Sequence, residues 1–185
     1  EDYEDNEDNG DNEAGDEESS DASSLLQSAY NGDTEEMKEL LEKGVEPDVV
    51  VDPTDGITPC YAAAGMGWLD LVELLLERGA DPNKARTDTG ETPCYAAAER
   101  GNLDVVRLLL ERGADPNKAR TDNGETPCIV AGRNGHDEVV EVLQCRCPGC
   151  GQRWSNFDDL TMWGDSYICE SCFHDRRMEE QQDMD

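Results

Sequence analysis

The tripeptide Thr-Pro-Cys stands at Thr58-Pro59-Cys60, Thr92-Pro93-Cys94 and Thr126-Pro127-Cys128, each copy starting 34 residues after the last. A fixed period of this length marks a unit that cannot bury its apolar face alone, so that neighbouring units must stack into one elongated core. The register continues downstream, with Gly67, Gly101 and Gly135 on the same spacing and Gly79-Ala80-Asp81-Pro82-Asn83 recurring as Gly113-Ala114-Asp115-Pro116-Asn117.

Local chemistry assigns elements to one unit. Thr58 is suited to cap a helix that Pro59 opens, since proline lacks the N–H that a first helical position leaves unpaired. Cys60, Ala63 and Ala64 give that helix a small apolar face, and Gly67 ends it. From Leu69 to Glu77 the apolar residues Leu71, Val72, Leu75 and Leu76 recur at helical spacing, and Gly79 stops the run. Leu103 to Glu111 repeats the pattern with Val105, Val106, Leu109 and Leu110. Each unit therefore reads as a short helix, a tight turn, a longer helix and a finger.

These motifs resemble the ankyrin repeat, whose Thr-Pro-Leu-His, Ala pair, Gly-His turn, Leu-rich helix and Gly-Ala-Asp-x-Asn match residues 53–143. A looser copy over Leu25 to Val49 places Ala29, Gly32, Met37, Leu40, Leu41 and Gly44 in register without Thr-Pro, as an N-terminal capping repeat does. The period departs from the usual length of about 33, and the added residue falls in the finger, between Asn83 and Gly90 and between Asn117 and Gly124. Cys replaces the Leu after Thr-Pro, and Tyr61, Tyr95 and Ile129 replace the following His. Cys60, Cys94 and Cys128 read as small core hydrophobes, because stacked units lie too far apart for a disulfide between them.

Residues 1–24 hold twelve acids and no base and read as a disordered acidic tail. Removing those charges from the formal net of -30 leaves -18 on the remainder, which repels nucleic acid and anionic membrane surfaces. No apolar run approaches the roughly 18 to 20 residues of a membrane span. Ser19, Ser20, Ser23 and Ser24 among the acids form a weak phosphorylation motif. Cysteine usage favours a reducing, intracellular setting, with cytosol, nucleus or an organelle after loss of a targeting segment left open.

After Leu143 the period stops. Cys147-Pro148-Gly149-Cys150 is followed by Cys169-Glu170-Ser171-Cys172, two C-x2-C pairs suited to one tetrahedral Zn²⁺ held by four thiolates with no open position, a structural site. Cys145 and His174 are spare candidate ligands, and redox-active C-x2-C chemistry is the alternative. Trp154, Phe157, Leu160, Met162, Trp163, Tyr167 and Ile168 would supply a miniature core whose folding is coupled to metal. The spacing is similar to treble-clef fingers of the GATA type and to zinc ribbons. RING, MYND and LIM modules need more ligands than residues 145–185 supply, which lowers a ubiquitin-ligase-associated role. Arg153 stands against Asp158, Asp159 and Asp165, and this disfavours DNA.

The expected architecture is a mostly α ankyrin-repeat solenoid of about four repeats followed by a small zinc-binding α+β module. Its divisions are an acidic tail at 1–24, a capping repeat at 25–52, three repeats at 53–143, the zinc module at 145–178 and an acidic tail at 179–185. No phosphate loop, Gly-x-Ser-x-Gly or His-Glu-x-x-His is present, so a non-enzymatic role is expected.

The resemblance implies a protein partner met by finger tips and short-helix surfaces. Met66, Trp68, Arg100, Asn102 and Arg133 are candidates there, with Trp68 either an anchor or packed on Tyr61. Lys84, Arg86, Lys118 and Arg120 form a basic stripe on adjacent fingers. The stripe is either solvated charge or a surface for an acidic partner or for the chain's own residues 1–21. The protein is expected to be monomeric outside a complex, as a transient adaptor or as a permanent accessory subunit of a larger assembly.

Overall fold

In the computed structural model, which describes residues 14–143 and the strands at 160–163 and 166–169, each Thr-Pro opens a helix. Helices pair along the chain: α1 (Ala14–Asn31) with α2 (Thr34–Glu42), α3 (Pro59–Met66) with α4 (Leu69–Glu77), α5 (Pro93–Arg100) with α6 (Leu103–Glu111), and α7 (Pro127–Arg133) with α8 (Asp137–Leu143). The first helices of the pairs, α1, α3, α5 and α7, pack in sequence order, and the second helices α2, α4, α6 and α8 form another layer. Four repeats therefore stack with one continuous core.

The caps follow the sequence. Thr58, Thr92 and Thr126 accept from the backbone N–H groups of Tyr61, Tyr95 and Ile129, satisfying donors that a helix start leaves orphaned. Gly67 and Gly101 close α3 and α5 in the left-handed conformation at φ 81° and 76°. Leu71, Val72 and Leu75 are buried with Val105, Val106 and Leu109, each worth about 1.5–3 kcal/mol against exposure. Leu76 and Leu110 are only partly buried at the edge of this core. In the first repeat Ala29, Met37, Leu40 and Leu41 are buried as expected, joined by Leu25.

The boundary of the expected tail moves. The expectation of a disordered tail over residues 1–24 does not hold for 14–24, which form the first part of α1. Buried Leu25 and Ala29 fix the helix against the stack, and propagation from a formed turn is easy.

Cys60 and Cys94 are free, buried core thiols, and burial pushes each up to about 12. Cys128 is also buried, but it departs from the expectation for a plain core residue in being disulfide-bonded. The cysteine-rich module adds an antiparallel hairpin, β1 (Leu160–Trp163) with β2 (Ser166–Cys169), in a register that sets Leu160 opposite Cys169 and Trp163 opposite Ser166.

Candidate functional site

The fingers are built by an internal charge ladder. Arg86 N–H donates to Glu91 O at 2.9 Å and closes the second finger, and Arg120 N–H does the same with Glu125 O in the third. Successive fingers are joined where Thr87 N–H donates to Asp55 O and Thr121 N–H to Thr89 O. Gly56 is required at this approach: its φ is 67°, and a Cβ there would fall 2.6 Å from Thr87 N.

On these fingers Arg86 and Arg120 keep only 21% and 19% of their side chains exposed. Arg86 forms a fork with Asp88 at 2.9 and 2.5 Å, and its guanidinium lies over the Tyr61 ring at 5.5 Å. Arg120 repeats this with Asp122 at 2.9 and 2.6 Å and with Tyr95 at 5.6 Å. The Tyr61 hydroxyl donates to Glu91 Oε2 at 2.6 Å, while Arg120 reaches Glu91 Oε1 at 2.8 Å. Tyr95 donates to Glu125 Oε2 at 2.7 Å, and Arg133 pairs with the other oxygen of this carboxylate, which is 1% exposed.

Hydrogen bonding to Asp88 and Asp122 raises the guanidinium values above their ordinary range, and those arginines hold the two carboxylates below theirs. Burial, then the acceptor carboxylates, pushes both tyrosines up. Of the four stripe bases, two are thus neutralised at short range by the chain's own acids. Lys84 and Lys118 remain exposed, Lys118 donating to Asn83 O at 2.9 Å.

At the opposite ends of the short helices, the residue after each turn glycine grips the preceding repeat. Asn102 Nδ2 donates to Ala64 O at 2.9 Å and to Gly65 O at 3.0 Å, and His136 Nε2 lies 3.1 Å from Glu99 O. Trp68 holds the corresponding place and donates through Nε1 to Tyr30 O at 3.3 Å. Its indole lies on Gly32, where a Cβ would sit 2.8 Å from Trp68 Cε2. Trp68 therefore packs on the first repeat and not on Tyr61, because the turn directs it backward along the stack.

Among the described residues, the exposed large apolar side chains are Tyr30, Val51, Met66, Trp68 and Leu69. Three of them fall within residues 66–69. Arg100 is exposed beside Glu99 at 4.0 Å, so of the expected partner contacts Met66, Trp68, Arg100, Lys84 and Lys118 present open surface. Asn102, Arg86 and Arg120 are engaged within the stack, and Arg133 pairs with Glu125 while 57% of its side chain stays exposed. The Tyr–Glu–Arg ladder was not legible beforehand; the sequence signal was Glu preceding Thr-Pro, 30 residues after each Tyr.

Cys145, Cys147, Cys150, Cys172 and His174 lie outside the described residues, and of Cys169 only its backbone place at the end of β2 is described.

The stacked helix pairs, shared core and fingers define a repeat solenoid whose individuality is carried on its surface. The model for "Ankyrin repeats (3 copies)" matches residues 25–120 and again 79–151, and the chain belongs to the ankyrin-repeat family. It is 41% identical over 66 residues to the 2-5A-dependent ribonuclease of Mus musculus, a stretch covering 36% of this chain and 9% of that protein. Ankyrin repeats point to protein–protein interaction and are generally non-catalytic. No helix among the described residues is long and apolar enough to cross a membrane.

Proposed function

We propose that this chain is a non-catalytic docking protein in which the repeat stack holds one protein partner and the cysteine-rich module holds a second. The observation that carries the first half is the division of its surface: most inward polar groups are answered within the stack itself, while Met66, Trp68 and Tyr30 stay exposed. Apolar side chains left clustered in water mark interaction surfaces.

For the second half, the donor set suits zinc. Cys147, Cys150, Cys169 and Cys172 form two close pairs, and the hairpin delivers Cys169 at the end of a regular strand paired to Leu160. Four thiolates on Zn²⁺ would tie the two pairs into one small fold, with Cys145 and His174 as substitute ligands. A treble clef and a zinc ribbon both accommodate such a hairpin.

The relative's name ties that ribonuclease to 2-5A. An anionic ligand is not the reading favoured for this chain, since Arg86 and Arg120 already serve Asp88, Asp122 and Glu91. The same pairing weakens an acidic protein as the partner of the finger tips.

The test is a pull-down with the intact protein beside Cys147→Ser/Cys150→Ser, with zinc measured on both. About one zinc per intact chain is expected, lost in the variant together with one partner while a second partner is retained. Metal-free intact protein would overturn the zinc module, and failure to retain any protein would overturn the docking role. A partner that never exchanges would make the chain a permanent accessory subunit.

A further inference from the structure

We propose that the C-terminal ends of α1 and α3 form a docking site for a basic, amphipathic helical segment of a partner protein, with Met66 and Trp68 as its anchors. The inference rests on the docking role above and assigns it a place and a partner chemistry.

Position by position, this part of the stack differs from its repeats. Met66 corresponds to Arg100 and Asn134, and Trp68 to Asn102 and His136; only the second repeat carries two large apolar side chains there. Met66 is 49% exposed and Trp68 40%, and Tyr30 in the last turn of α1 is 37% exposed. The stack already uses the polar end of Trp68, which donates to Tyr30 O, and Gly32 seats its ring. An aromatic held this way loses little rotamer freedom when a partner covers it. Gly65 lies between Tyr30 and Glu99 in the equivalent places of successive short helices. It has no side chain to fill that place, and a Cβ there would only reach ordinary contact with Ala96.

The spacing suits a helix. Neighbouring packed helices lie about 8–10 Å apart, and residues i and i+7 of an α-helix are about 10 Å apart on one face. One apolar residue of the partner can meet Tyr30 on α1 while the next meets Met66 and Trp68 beyond α3.

Charge selects the occupant. Asp33 follows Gly32, Asp70 follows Trp68 by two residues, and Glu99 stands on α5, all with solvent access. Asp55 acts on the Tyr30 hydroxyl, which burial and this carboxylate push up while Arg86 lowers it. Of the bases nearby, Arg86 is committed to Asp88, while the exposed Arg100 lies 4.0 Å from Glu99. With a net charge of -30, a second copy of this chain would bring acid onto acid, and so would its own N-terminal run of acids. A lysine- or arginine-rich partner face meets the opposite sign, which favours encounter and excludes those competitors.

The probe is a fluorescein-labelled 15-residue Leu/Lys peptide of helical apolar spacing, titrated by anisotropy against the full chain in about 0.15 M salt. Companion peptides replace Leu by Ser or Lys by Glu. Binding by the Leu/Lys peptide alone is expected, weakened roughly fivefold by Met66→Ser and tenfold or more by Met66→Ser/Trp68→Ala, amounts normal for interface anchors. Val51→Ala, an exposed apolar change elsewhere, should leave it unaltered.

Met66→Ser keeps the test independent of folding, because that side chain is half in water; an unchanged thermal midpoint verifies this. Equal binding by wild type and Met66→Ser, equal binding by the Ser or Glu peptide, or no binding at roughly 100 µM would overturn the site. The two failures are separable. A pull-down partner retained by Met66→Ser leaves the docking role standing and removes this site. A Met66-dependent peptide with no captured protein does the reverse.

Discussion

The first two junctions of the stack use the same backbone register with different side chains. Between the second and third repeats, Asn83 Nδ2 donates to Gly113 O and its Oδ1 accepts from Asp115 N–H at 2.9 and 2.7 Å, Asn102 makes two bonds, and Tyr61 is closed by Glu91. Between the first and second, Asp48 stands where Asn83 stands. Its Oδ2 accepts from Asp81 N–H at 2.9 Å, but the other oxygen is buried with no donor. Trp68 supplies one longer bond in place of the two from Asn102. The later junction is closed by polar complementarity, whereas the earlier one leaves a carboxylate oxygen unanswered and apolar surface in water. Adhesion within the stack and availability to a partner are thus divided between neighbouring interfaces.

Four measurements would break or sharpen this contrast. The largest effect is expected for Glu125→Ala, which leaves the buried Tyr95 hydroxyl without its acceptor and the exposed Arg133 without its partner; a loss of about 2–3 kcal/mol by chemical denaturation is the expected result. A loss near zero would mean that the ladder contributes no net stability. Asn102→Ala should cost about 1–2 kcal/mol by the same assay, since two carbonyls lose their donor.

Asp48→Asn is expected to stabilise by about 1 kcal/mol, supplying the donor that Asn83 supplies one repeat later. Its pH dependence has a defined sign. Burial raises Asp48 above the ordinary 3.8, so the folded state holds this proton more tightly than the unfolded chain. The contribution of Asp48 to stability therefore grows as pH falls through its folded value and is lost as it ionises. The backbone N–H of Asp81 and the Lys84 charge oppose the shift, while the Asp81 and Glu46 charges reinforce it. The variant's advantage should shrink with acidification just above pH 3.8, measured as the difference between the two melting curves. An advantage that is constant with pH would assign the gain to something other than this proton. The smallest effect is kinetic: amide exchange should show α1 and α2 opening at lower free energy than α5 and α6. Equal protection would remove the asymmetry between the junctions.

Asp88 and Asp122 act in the opposite sense to Asp48. Their arginine partners depress them, so what they add is present above the ordinary carboxylate value and fades as pH falls through the lowered one.

Much of this fold was readable in advance because its determinants are local. Thr-Pro fixes the start of α3 and α5 through one side-chain oxygen and one missing N–H, a glycine at positive φ fixes their ends, and α4 and α6 lie at the residues their apolar spacing indicates. The start of α1 was not readable: acid-rich composition favours disorder, and only burial of Leu25 and Ala29 against the stack shows what supports the helix. The candidate site was half legible. Met66 and Trp68 stand out as departures from the repeat, but Arg86 and Arg120 look like free charge until their neighbours across the finger are known.

The sequence by itself determined the repeat, its period, its caps and the cysteine pairs, since each depends on residues adjacent along the chain or recurring at fixed spacing. Only the tertiary structure decided which charges are spent. Tyr61 and Glu91 are 30 residues apart in the chain and 2.6 Å apart in space, and Trp68 reaches back 38 residues to Tyr30. Stacking brings such pairs together, and a hydrogen bond across a repeat has no signature until the repeats are in contact.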